Sequence, residues 1–269
     1  MIITGIVMLI EIGGGILANS LALISDAAHM FTHFFALSIS FGAIVCASIE
    51  RCHHRTFGFY RAEILAALFN SLFLFAVTFW ILFEATKRII HPQQVASLQM
   101  FVIAAIGLVV NLVSAWILHG ASKHDLNIKG AFLHMAADTL SSIAIVIGAV
   151  IIHFTGFNIL DPILSIGVAL VILVWGFSLL RDSVNILLEA APKGIDSDEV
   201  SRVLKEEIIQ IEAITDMHLW TITSNMHSMT LHIKIKEPFT KEDEKSILHK
   251  IKQIADERFE IEHTTVEVE

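Results

Sequence analysis

Six apolar stretches alternate with short polar breaks along the first two thirds of the chain. They are Ile2–Ala18, Ser20–Ile49, Ala62–Phe83, Leu98–Leu118, Ile128–Phe154 and Ile159–Leu180. A helix needs about 20 residues to cross a bilayer, and a spanning segment must satisfy its own backbone there. The breaks fall at Asn19–Ser20, His91–Gln94, Ser122–Asn127 and Thr155–Asn158. The pattern predicts six membrane-spanning helices. Beyond Pro192 the pattern changes. Asp196–Ile211 reads as a helix with an acidic first turn, which suits a helix N-terminus. Ile214–Ile222 and Met229–Ile235 alternate as two strands around a Ser224–Asn225 turn. Thr240 is placed to cap a helix reaching Glu257, with Asp243 three residues on as a capping box. Thr265–Val268 reads as a last strand. The predicted fold class is an α-helical membrane protein: a six-helix transmembrane domain over 1–183, then a small α+β domain, α-β-β-α-β, over 184–269.

Composition agrees with the bilayer as solvent. Hydrophobic residues make up 55% of the chain and charged residues 17%, against about a quarter charged in soluble domains. From Pro192 onward there are 10 Lys and Arg against 17 Asp and Glu, so an acidic, water-soluble tail follows the apolar region. That balance argues against a nucleic-acid partner. The two cysteines, Cys46 and Cys52, lack CxxC spacing and read as reduced thiols. Met1 opens directly into Ile2 and Ile3 without a basic stretch, so the first segment is expected to be a spanning helix and not a secretory signal. Basic residues beside the helix ends set the orientation. Arg51, Arg55, Arg61, Lys123, Lys129, Arg181 and Lys193 fall on one side, with only Lys87 and Arg88 opposite. Both termini are therefore expected in the cytoplasm.

Ionisable residues at membrane depth carry the chemistry. The second segment holds Asp26, His29 and His33, and the fifth holds His134 and Asp138. An Asp, Lys or Arg at such depth costs about 2.5–3.5 kcal/mol on the insertion scale. His29 and His33 are four apart and share one helix face, as do His134 and Asp138. Facing each other, they offer three imidazoles and one carboxylate, a metal or proton site. Four N and O ligands suit a tetrahedral Zn²⁺ ion, and imidazole also accepts Co²⁺ and Ni²⁺. Taken singly, a membrane histidine is as often bonded to a neighbouring hydroxyl or carbonyl, and His153 reads that way. Asp26 is expected to orient a ligand from behind. Glu11 and Asn111 are expected to make interhelical hydrogen bonds. Gly13, Gly14 and Gly15 permit close packing.

Two further groups are ambiguous. Cys52, His53 and His54 could hold a metal in passing, but a basic loop obeying the orientation rule explains their surroundings. In the tail, Asp216, His218 and Trp220 share a strand face, as do Glu267 and Glu269. A regulatory metal site and a plain polar face fit this pattern equally.

Several of these residues lie in motifs that resemble the cation diffusion facilitator family of zinc-exporting antiporters. They are Asn19–Met30, Thr56–Leu65, Ala131–Asp138, Asp161-Pro162, Asp216–Trp220 and His263–Thr265, in order along nearly the whole chain. The resemblance implies a homodimer with a metallochaperone-like cytoplasmic domain. It implies a transport site at His29, His33, His134 and Asp138, and exchange of cytoplasmic metal for protons. Zn²⁺ is the expected substrate, with Co²⁺, Ni²⁺ or Cd²⁺ as alternatives. The family usually has Asp where this chain has His33, so the site keeps one carboxylate. Of the tail positions that ligate metal in some members, His232 and Glu269 are kept, and Thr215 stands where a His can occur. A bacterial inner membrane is the expected location. Two rival readings are a membrane zinc metalloenzyme, for which no HExxH or nucleophile motif is present, and a metal-gated channel or sensor.

Overall fold

The computed structural model describes residues 2–47, 56–121, 126–223 and 226–269. Six long helices come first: α1 (Ile2–Ala18), α2 (Leu21–Ala47), α3 (Tyr60–Ile90), α4 (Ser97–Ala121), α5 (Leu126–Thr155) and α6 (Leu160–Leu187). The tail follows as α7 (Ser197–Glu207), β1 (Ile211–Thr223), β2 (Met226–Ile235), α8 (Lys241–Phe259) and β3 (His263–Val268). The α-β-β-α-β order is the predicted one. By length and apolarity, α3, α4, α5 and α6 each suffice to cross a membrane, and α1 contributes a shorter apolar run over Gly5–Ala18. Large apolar side chains such as Phe83, Trp116, Phe154 and Val174 point outward. An unpaired apolar surface of this kind belongs against lipid.

Two compact units divide the chain, Met1–Phe41 with Phe69–Leu179, and Gly42–Leu68 with Leu180–Glu269. In the first, α1 packs on α4 and α4 on α5. Small side chains make the close approach: Ala18, Ala22, Ala104 and Ala149 are buried with Met100 and Ile145, as expected where helices meet without a hydrophobic drive between them. Gly14 and Gly15 sit against the side chains of Ile103 and Ile24, whereas Gly13 faces open space. The α1–α2 turn is fixed by Asn19, which takes a left-handed φ of 51°. Ser20 N–H donates to the Gly15 carbonyl at 2.9 Å, ending α1. Arg88 from α3 then donates to the Asn19 carbonyl at 2.7 Å and to its side chain at 2.8 Å.

In the second unit, α7 and α8 pack on a three-stranded sheet of order β1-β2-β3. β1 and β2 are antiparallel, and β2 and β3 parallel. Val200 and Leu204 of α7, Ile247 and Ile251 of α8, and Met229, Leu231 and Ile233 of β2 form one buried core. Thr240 caps α8 and Asp243 completes the capping box. Residues preceding and opening α3 belong to this unit: Glu63 accepts from the Thr223 hydroxyl at 2.6 Å, and Arg61 pairs with Glu189 at 2.9 Å.

Several boundaries differ from the sequence reading, among them α6, which runs to Leu187, and β3, which starts at His263. The predicted helix Asp196–Ile211 stops at Glu207, because Ile211 is taken by the sheet, opposite Ile235. Both hairpin strands run longer than their alternating cores, since the ladder continues to Thr223 opposite Met226. Helix α3 outruns Phe83 by seven residues to Ile90. Glu84 sustains these last turns by pairing with Lys87 and Arg88 one turn on.

Candidate metal centre

Helices α2 and α5 bring one residue of each predicted pair into contact. His29 Nε2 lies 3.1 Å from Asp138 Oδ1, and both side chains are buried. Two ligands of a tetrahedral Zn²⁺, each about 2.0–2.2 Å from the ion, stand about 3.3 Å apart. The observed separation is close to that. The pair opens on a cavity of about 350 Å³, otherwise lined largely by apolar residues of α5 and α6. The Trp175 ring lies across it with its centre 5.4 Å from that of His29.

The backbone is helical through His33 and His134, but their side chains lie outside the described residues. So do Cys52, His53 and His54. Among the described residues, no group of three or more His, Cys, Asp or Glu side chains converges as a metal cluster.

Asp26 reaches the pair through α5. Its described hydrogen bonds go across to α5: the Ser141 hydroxyl lies 2.8 Å from Oδ1 and the Ser142 hydroxyl 3.4 Å from Oδ2. Ser141 Oγ also stands 2.9 Å from the Asp138 carbonyl oxygen. Asp26 therefore supports the Asp138 side of the pair. Asn111 of α4 extends the network by donating to Ser142 Oγ at 3.1 Å, which is the interhelical bond expected of it. Glu11 departs from expectation: it is buried to 1% exposure, and its Oε2 has no hydrogen-bond partner. His153 meets the Ser97 hydroxyl at 3.1 Å, an ordinary satisfied membrane histidine.

Sequence reasoning assigned no role to Asp161, which binds the start of α2. Its carboxylate accepts from the Ser20 hydroxyl at 2.6 Å and from the Leu21 and Ala22 N–H groups at 2.9 and 3.2 Å. The available signal was an acid beside Pro162 at the start of an apolar run. Ser141 and Ser142 were also passed over, although adjacent hydroxyls beside a membrane carboxylate are informative.

In the tail, His232 lies 3.4 Å from Glu269 and 3.8 Å from Glu267, and Thr215 donates to the His232 carbonyl at 3.4 Å. His218 pairs with Asp216 at 3.1 Å. The strand faces thus set imidazoles beside carboxylates, an arrangement that a polar face and a metal site share.

Long apolar helices around a buried imidazole–carboxylate pair, followed by a small α+β unit, define an integral membrane transport protein. Residues 1–188 match the cation efflux transmembrane domain, and residues 192–269 the cytoplasmic domain of cation efflux proteins. The chain belongs to the cation efflux family, the cation diffusion facilitators, whose members move metal cations out of the cytoplasm and are transporters rather than enzymes. It is 39% identical over 264 residues to a cadmium, cobalt and zinc/H(+)-K(+) antiporter of Bacillus velezensis, covering 97% of this chain and 84% of the relative. It is 40% identical over 267 residues to the metal cation efflux system protein CzcD of Cupriavidus metallidurans, covering 99% and 84%. The zinc transporter ZitB of Escherichia coli is 38% identical over 263 residues, covering 97% and 83%.

Proposed function

We propose that this protein exports Zn²⁺ from the cytoplasm in exchange for protons, with His29, His33, His134 and Asp138 as the transport ligands. The observation that carries this reading is the buried His29–Asp138 contact between α2 and α5, at a spacing that suits one tetrahedral ion. The names of the relatives, which include zinc transport and proton antiport, support it. Metal binding needs deprotonated ligands, so entry of the ion displaces protons and a more acidic exterior favours its release. The helix pair reorients between the two sides. With one carboxylate among four ligands, a bound divalent ion keeps a local charge of about +1, and imidazole-rich donors also admit Co²⁺, Ni²⁺ or Cd²⁺. The protein works as a homodimer joined through the tail domain, in a bacterial plasma membrane with both termini inside.

The test is uptake into proteoliposomes under an imposed pH gradient, with Zn²⁺, Co²⁺, Ni²⁺, Cd²⁺ and Mn²⁺ compared. Saturable, gradient-driven Zn²⁺ uptake that Asp138→Ala abolishes is the expected result. Full transport by Asp138→Ala would remove the ligand assignment. Flux that neither saturates nor needs a proton gradient would replace the antiporter by a channel.

A further inference from the structure

Helix α1 carries a single charged residue, Glu11, and it is directed into the protein interior. Its exposure is 1%, and Oε2 has no hydrogen-bond partner. On the side of Oε1 it rests on Gly107 of α4, where a Cβ would collide with that oxygen. The backbone of α4 has been cleared to admit the carboxyl. Nothing in packing alone calls for an acid here, and an unsatisfied carboxyl at membrane depth is costly.

The surroundings point to what the acid does. Glu11 lies within electrostatic reach of Asp26 on α2 and of Asp138 on α5. The facing helix α4 presents Gly107 and, one turn on, the neutral Asn111, with no charged residue in its length from Ser97 to Ile117. Asp26 is held by the Ser141 and Ser142 hydroxyls, which suit a carboxylate acceptor. Among the described residues, Glu11 Oε2 is thus a buried acidic oxygen that binds or gives up a proton without breaking another hydrogen bond. It stands apart from the four transport ligands in sequence.

We propose that Glu11 carries a counter-proton of the exchange. When the metal leaves, Oε2 takes one proton from water to form a carboxylic acid. When a divalent ion arrives at His29 and Asp138, its charge repels that proton, which returns to water from the O–H bond. The ionised Glu11 then adds a second exchanging negative charge to that of Asp138, which offsets the single carboxylate among the ligands, while Asp26 keeps its hydroxyl bonds throughout. This assignment rests on the antiport reading, and deepens it by giving the proton a residue that does not touch the metal.

The purified full-length protein tests it. Protons released per Zn²⁺ bound are counted by calorimetry in buffers of differing ionisation enthalpy. Gradient-driven uptake and zinc-for-zinc exchange are then measured in liposomes. Glu11→Gln is expected to release about one proton fewer per metal and to lose about tenfold or more of gradient-driven uptake, while exchange stays within about twofold. Glu11→Asp, which keeps the acid, is expected to keep coupling. An unchanged proton count in Glu11→Gln overturns the assignment. So does a parallel loss of exchange and driven uptake in both variants, which would make Glu11 a packing residue. The proton count is an equilibrium quantity and decides Glu11 even where the wild-type protein shows no gradient-driven uptake, a result that would instead sink the antiport reading.

Discussion

The Ser20 hydroxyl donates to Asp161 Oδ1 at 2.6 Å, joining the first residue before α2 to the first turn of α6. The same carboxylate receives the Leu21 and Ala22 N–H groups. These are donors that a helix start leaves without partners, and they lie at the positive end of its dipole. A residue 141 positions away in sequence thereby caps the helix that carries His29. Asp161→Asn is expected to lower stability by about 1–3 kcal/mol, since a fully buried charged acceptor is lost. Ser20→Ala should cost about 0.5–2 kcal/mol. Thermal unfolding of the purified protein in detergent measures both. Equal melting of the wild type and Asp161→Asn would deny the cap a structural role.

At the candidate metal centre, losing a ligand and losing its support should differ in size. His29→Ala and Asp138→Ala are expected to abolish saturable Zn²⁺ uptake. Asp26→Asn, which weakens the hold on Ser141 and Ser142, should reduce metal affinity about 10–100-fold. Calorimetric Zn²⁺ binding separates the two cases, and a wild-type affinity in Asp26→Asn would show that the α5 serines orient nothing.

Two glycines, Gly107 of α4 and Gly13 of α1, give predictions of opposite sign. A Cβ at Gly107 collides with the Glu11 carboxyl, which is the far end of a flexible side chain but one enclosed on all sides. Gly107→Ala is expected to cost about 1–3 kcal/mol through overpacking. Gly13 has nothing within 4 Å of its would-be Cβ, so Gly13→Ala should gain up to about 1 kcal/mol from helix propensity. The melting temperatures of the two variants should therefore move in opposite directions.

Much of this fold was open to reading from the order of residues. Hydrophobic runs located all six long helices, since only a spanning helix accounts for such runs between short polar breaks. The Thr240–Asp243 capping box was legible because it is a local arrangement of three residues' reach. What was hidden depended on distant partners. Ile211 looked like the end of a helix until β2 supplied Ile235 opposite it. Asp26 read as a residue that orients a ligand, but its hydroxyl partners sit on α5, more than a hundred residues on. Of the ligand set, helical spacing sufficed to propose His29 with Asp138, and their contact followed only once two helices were placed side by side.

His227 links the tail to pH. Burial holds its imidazole below the ordinary histidine range, and its Nδ1 sits 3.2 Å from the Thr221 hydroxyl. The unfolded chain therefore takes up this proton at a higher pH than the folded protein. Stability is complete above the unfolded value of about 6.5 and declines as pH falls from there towards the depressed folded value. His227→Gln is expected to flatten that acid-side decline. Unfolding midpoints between about pH 7.5 and 5 check it, and an equally steep fall in the variant would place the acid sensitivity elsewhere.

Helix α3, at 31 residues, is about 46 Å long at 1.5 Å per residue. The hydrocarbon of a membrane is about 30 Å thick. Its apolar surface extends as far as Phe83, Ile89 and Ile90, all exposed. Between Glu63 and Glu84, however, only 20 residues are uncharged, about 30 Å, so the charged ends of α3 bracket a span cut to the membrane's own thickness. A thinner bilayer is then met by leaning the helix, and a thicker one leaves it no slack.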